Sequence, residues 1–164
     1  MKSFSAIILI LASLLLHHST HACDCRELPT VGASLQNEGV DYVFRGFVTR
    51  QIDMGTANIN DPKYYSVRVS KVYKGCTFSN TTSIVLTTAG NSALCGIDLG
   101  LYKNFVFSGR SIPAESKVIK KARVKNPILF SKEMVRVALC DFNEGFSSLS
   151  TADKDLLRKQ TDQC

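Results

Sequence analysis

The chain has 164 residues, a formal charge of +6 from 20 basic and 14 acidic side chains, and 45% hydrophobic residues. That is the length and apolar content of one folded domain. Its only histidines are His17, His18 and His21, so histidine chemistry is confined to the first stretch of the chain.

That stretch reads as a leader. Lys2 supplies a positive end, "AIILILASLLL" from Ala6 to Leu16 is an apolar run too short to span a bilayer, and Thr20-His21-Ala22 has the small-x-small pattern of a cleavage site. The expectation is a signal peptide over residues 1–22, a secreted, extracellular domain over 23–164, and no membrane span. Cleavage after Ala22 makes Cys23 the first residue and removes every histidine. Ser-His-Asp and Cys-His catalysis and histidine-containing zinc sites then drop out. No HExxH, GxSxG, Walker A loop or GxGxxG occurs, and no pair of carboxylates has a spacing that says more than solvated surface. The reading is a protein that is not an enzyme and holds no cofactor of its own.

Six cysteines follow the leader: Cys23, Cys25, Cys76, Cys95, Cys140 and Cys164. An even number in a small secreted domain reads as a disulfide framework whose connectivity the spacing leaves open. Cys23 and Cys25, one residue apart, are poorly placed to bridge each other. Zinc ligation is the competing explanation, but the C-x-C has no second pair at zinc-ribbon spacing.

Past the cysteines, "TVGASLQNE" (Thr30 to Glu38) carries a weak helical pattern. Strand patterns then come in order: "DYVFRGFVTR" (Asp41 to Arg50), with imperfect alternation; "YYSVRVSKVY" (Tyr64 to Tyr73), with Val67, Val69 and Lys71 on one face and Val72 on the other; "SIVLTT" (Ser83 to Thr88); "NFVFSG" (Asn104 to Gly109); and "EMVRVALC" (Glu133 to Cys140). Asn80-Thr81-Thr82 is an N-glycosylation sequon in a turn-like stretch, which makes the protein a candidate glycoprotein. Between the fourth and fifth strands, Lys117, Lys120, Lys121, Arg123 and Lys125 form a basic loop, a candidate contact for sulfated glycosaminoglycan or a cell-surface receptor. The last segment predicts a helix over 151–160, with Ser150 as N-cap, Asp153 three residues on, and Arg158 and Lys159 in the last turn. Phe142, Phe146 and Leu149 are expected to pack that helix onto the strands. Five strands with short peripheral helices predict an all-β fold, a small closed barrel of the OB type. OB-folds also bind single strands of nucleic acid, but no aromatic platform is placed for it here.

The opening Cys-Asp-Cys, "VFRGFV", "YYSVRVSKVYKG", "ALCG" (Ala93 to Gly96), "FVFSG" and "CDFNEGFSSLSTADKDLLRKQTDQC" occur in the order seen in the N-terminal domain of tissue inhibitors of metalloproteinases, the netrin-like (NTR) module. The chain resembles that family over nearly all of residues 23–164, as a single-domain form. The resemblance implies an OB-fold barrel, a monomer, and inhibition of secreted or matrix metalloproteinases. The amino nitrogen and carbonyl oxygen of Cys23 would chelate the protease's catalytic zinc in trans. Asp24 would point into the S1′ pocket, and Cys25, Ala93, Leu94 and Cys95 would flank the contact. It also implies Cys23–Cys95 and Cys25–Cys140 bridges. The early helix-region cysteine of the family's third bridge is absent here, and Cys76 with Cys164 is the remaining pair.

The chemistry is reasonable. A catalytic zinc keeps a water-filled position, and an α-amino group with a pKa of about 8 yields its proton readily to a metal. Asp24 departs from the family's usual Thr or Ser. A carboxylate entering an apolar pocket loses solvation, and a penalty of about 3 kcal/mol weakens binding roughly 100-fold. The alternative function is therefore a non-inhibitory netrin-like module acting on a receptor, cytokine or matrix component.

Overall fold

The computed structural model describes residues 23, 25, 27, 29–55, 58–75, 83–113, 115–127 and 133–160, without the side chains of Val118, Lys121 and Arg123. In chain order the elements are α1 (Val31–Gln36), β1 (Tyr42–Ile52), β2 (Lys63–Lys74), β3 (Ser83–Thr88), a 3-10 turn (Ser92–Leu94), β4 (Asn104–Ser111), α2 (Lys117–Lys125), β5 (Met134–Arg136), β6 (Asn143–Gly145) and α3 (Thr151–Gln160). Asp24, Cys76, Asn80, Cys164 and the leader lie outside the described residues.

The strands close on themselves. β1 runs antiparallel to β2 and β2 to β3, β3 pairs in parallel with β5, β5 antiparallel with β4, and β4 returns to β1. This is a closed five-stranded barrel of the OB type, as the strand count predicts. β4 gives one edge to β1 and divides the other, Phe105–Phe107 pairing with β6 and Arg110–Ser111 with β5.

Three apolar clusters explain why the strand patterns alternate so imperfectly. The barrel interior holds Phe44, Val48, Tyr65, Val67, Val69, Leu86 and Phe107. A second cluster joins the outer faces of β1 and β4 to α1 and α3, through Val31, Val43, Tyr73, Val106, Phe142, Leu149 and Leu157, with Phe146 packed against it. The expected packing of the C-terminal helix by Phe142, Phe146 and Leu149 is thus formed. Because β1 is covered on both sides, Tyr42, Val43 and Phe44 are buried in succession, and a period of two is lost where both faces are dry.

In β2 the assigned faces need correction. Irregularities in the β1–β2 register, one of them between Arg45 and Gly46, set Lys71 opposite Arg45 and Val72 opposite Phe44. Val72 therefore joins Val67 and Val69 inside, because an extra residue in one strand flips the side-chain parity beyond it. Gly46 sits at this bulge, and a Cβ there would collide with the Val67 side chain.

Helix ends follow the sequence signals closely. Thr30 Oγ1 accepts the Ala33 N–H at 3.1 Å. Ser150 Oγ accepts the Asp153 N–H at 3.1 Å while its hydroxyl donates to Asp153 Oδ2 at 2.6 Å, so two polar groups are satisfied reciprocally.

Two further expectations change. The basic segment between the fourth and fifth strands is a helix, α2, and not a loop. Ser116 Oγ caps it by accepting the Ile119 N–H, and Ile119 and Ala122, three residues apart on one face, are buried against Tyr64, Val85 and Met134. The fifth strand is also shorter than Glu133 to Cys140. After Arg136 the chain turns, with Asp141 Oδ2 accepting the Ala138 N–H at 2.7 Å and the Asp141 N–H bonded to Ala138 O at 2.9 Å. An apolar, β-branched run carries no mark of where its pairing partner stops.

Candidate functional site

Two disulfides converge where the described chain begins. Cys23 is bonded to Cys95 and Cys25 to Cys140, with Cα separations of 5.1 and 5.4 Å across 72 and 115 positions of sequence. These are the two pairings that the resemblance implies. The Sγ atoms of Cys23, Cys25 and Cys140 lie within 4.8 Å of one another. Their sulfurs are committed to disulfides, so the cluster offers no thiolates to a metal.

The partners sit on built turns. Asn91 Oδ1 accepts the Leu94 N–H at 3.0 Å and so caps the 3-10 turn. The turn ends at Cys95, whose φ of 65° lies in the left-handed region, an uncommon conformation for a residue with a Cβ. Gly96 follows, and its N–H reaches back to Asn91 O at 2.8 Å. A Cβ on Gly96 would lie 2.7 Å from that same oxygen, so the tight return requires glycine. Leu139 N–H donates to Cys95 O at 2.8 Å, which joins the Cys140 turn to the Cys95 turn.

Both disulfides and both turns therefore form one edge of the barrel. Ala93 is exposed there, Leu94 retains 49% of its surface and Leu139 36%. Sequence reasoning named Ala93 and Leu94 but missed Leu139, although its place just before Cys140 was a usable signal. It also missed Ile59, 75% exposed in the β1–β2 connection. That loop is tied to the same edge by Asn91 Nδ2 donating to Asn60 Oδ1 at 2.6 Å. Exposed large apolar side chains gathered on one edge are the mark of a contact surface.

Asp141 stands under the Cys140 turn. Burial pushes its carboxyl above the ordinary value, while the Ala138 N–H and the charges of Arg110 and Arg136 pull the other way.

The basic residues are placed differently. Lys117 is exposed, Lys120 pairs with Glu115 at 3.3 Å, and Lys125 Nζ donates to Met54 O at 2.5 Å. The side chains of Lys121 and Arg123 are outside the described set. Through Lys125 the helix reaches the β1–β2 connection, and through Ile119 and Ala122 it covers outward-facing Tyr64 of β2 and Val85 of β3. OB-fold proteins present that strand 2–3 face and those two loops to oligonucleotides. Here the chain's own helix occupies it.

No protein-family model matches the chain, and no curated protein matches it. Among the described residues, no helix is long and apolar enough to cross a membrane.

Proposed function

We propose that the protein is a secreted inhibitor of metalloendopeptidases, of the type found in tissue inhibitors of metalloproteinases, with Cys23 as the zinc-chelating residue. The observation that carries this reading is the double bridge. Cys23 and Cys25 are pinned to two different turns of the barrel, beside exposed Leu94 and Leu139. A short segment held at both cysteines loses little freedom when it enters an active-site cleft, so its ordering cost is low. Once the leader is removed, the Cys23 amine and carbonyl oxygen form a five-membered chelate at the zinc and displace its water. Ala93, Leu94 and Cys95 contact the cleft wall, and Leu139 extends the apolar surface.

Asp24 sets the selectivity. Its carboxylate stays bound only where the receiving pocket supplies a cation or water, so deep apolar S1′ pockets are disfavoured. This residue is also what favours the second reading, a binding module indifferent to the Cys23 amine.

The test is a titration of a panel of matrix metalloproteinases with protein beginning at Cys23 and with a form carrying one extra alanine before it. Inhibition by the first, reduced at least about 100-fold in the second, is the expected result. Equal behaviour of the two forms refutes chelation. Asp24→Thr is expected to tighten binding to enzymes with apolar pockets by about the same factor.

A further inference from the structure

A separate cleft of about 530 Å3 is lined by Arg45 of β1, Lys103 and Asn104 at the start of β4, and Phe146, Ser147 and Ser148 in the turn that follows β6. Its walls are fixed. Phe146 N–H donates to Asn104 O at 2.9 Å, and Ser148 N–H to Gly145 O at 2.9 Å. The Arg45 guanidinium lies 3.8 Å from the centre of the Phe146 ring, a cation–π contact that holds the planar group in place.

The cationic side chains that line this cleft have no matching carboxylate. Arg45 Nε is buried and has no hydrogen-bond partner. No carboxylate lines the cleft, and among the described residues none pairs with Arg45 or Lys103. By register, exposed Glu144 of β6 stands opposite Val106 on β4, itself opposite Arg45. A Cβ on Gly145 would lie 3.4 Å from Ser148 Oγ and 4.0 Å from Ser147 Oγ, so both hydroxyls gather over the bare backbone of that glycine. Lys154 Nζ, 5.7 Å from the Phe146 ring centre, donates to Ser147 O at 3.4 Å and adds positive charge beside the cleft.

We propose that this cleft binds one tetrahedral oxyanion, a sulfate or phosphate group. A guanidinium, an ammonium, two hydroxyls and an amide converge from three chain segments, and an oxyanion offers acceptor lone pairs to all of them. Convergence from several directions suits a tetrahedral group better than a planar carboxylate, which a single guanidinium fork satisfies. The site stands independently of the proposed inhibition, since none of its residues belongs to the disulfide edge.

The test follows the ¹H–¹⁵N resonances of the folded protein, Arg45 Nε included, during titration with sodium sulfate, sodium phosphate and glucosamine 6-sulfate, ionic strength being held constant with chloride. Shifts centred on Arg45, Ser147 and Ser148 should saturate with a Kd on the order of millimolar. Lys103→Gln and the Ser147→Ala/Ser148→Ala pair should each weaken binding about tenfold. Tighter binding of the sulfated sugar than of free sulfate assigns the group to a carbohydrate ester, and equal binding assigns it to the free anion. Shifts that fail to saturate, that chloride reproduces, or that survive both sets of substitutions overturn the proposal.

Discussion

The sulfur of Cys23 lies 3.8 Å from the sulfur of Cys140, although the two belong to different disulfides. A thiolate released at Cys23 is therefore already beside a second disulfide bond, and exchange needs only that thiolate to attack and Cys25 to leave. Brief treatment with a limiting thiol should yield a Cys23–Cys140 bridge as the first rearranged product. Disulfide mapping by mass spectrometry that finds only native bridges and fully reduced pairs would refute this.

Removing the Cys25–Cys140 bridge by Cys25→Ser with Cys140→Ser should cost about 2–5 kcal/mol. Because Cys23 keeps its own bond to Cys95, the fold should persist at low temperature while the proposed protease inhibition weakens. Denaturant unfolding and inhibition, measured on the same preparation, check the two effects separately. A variant that unfolds more easily yet inhibits equally well would show that the second bridge does not position Cys23.

Gly96→Ala places a methyl against the carbonyl oxygen of Asn91. The turn that carries Cys95 must shift, and overpacking of this kind costs about 1–3 kcal/mol. Thermal unfolding should show the loss. Val124→Ala, at a position 85% exposed on α2, should leave stability unchanged and serves as the control.

Asp141 gives a pH signature of defined sign. Burial raises its folded pKa above the ordinary 3.8, so the native state holds this proton more tightly than the unfolded chain does. The stabilisation is fully present below the unfolded value and is lost as pH rises through the raised folded value. Asp141→Asn keeps an oxygen for the Ala138 N–H and does not titrate. The stability difference between wild type and variant should therefore move against wild type with rising pH across that window. A difference independent of pH would mean that the carboxyl is not perturbed.

Ile119→Ala should cost about 2 kcal/mol or more, because that side chain docks α2 on Tyr64, Val85 and Met134. Hydrogen exchange over residues 117–125 should accelerate with it. Unchanged protection would mean that the helix is held by something other than this contact.

The parts legible in the sequence are those with strong local signals. β3 spans Ser83–Thr88 as its β-branched run predicts, and α3 spans Thr151–Gln160 because Ser150 and Asp153 write its start into the chain. Legibility fails where a neighbour decides. The flip of Lys71 and Val72 depends on a bulge opposite β1. The three-residue β6 exists only because Phe105–Phe107 offer it an edge. α2 was hidden by its charges, since Lys117, Lys120 and Lys125 read as a solvated run, whereas Ile119 and Ala122 supply too few apolar positions to announce a helix. At the site, C-x-C flagged the edge, but Leu139 reaches it through a backbone hydrogen bond to Cys95 and the Ile59 loop through the Asn91–Asn60 side-chain bond, both set by the folded chain.

The closure of the barrel also orders events in time. β1 must find β4, β3 must align in parallel with β5, and the last strands must be in place before Cys140 can meet Cys25. Contacts so distant along the chain are entropically late and form slowly. The edge that holds Cys23 therefore rests on long-range pairings and belongs to the late part of assembly. A chain caught midway exposes thiols and unpaired strand edges but not the doubly bridged Cys23–Cys25 segment, which exists only once an oxidant has closed both bonds.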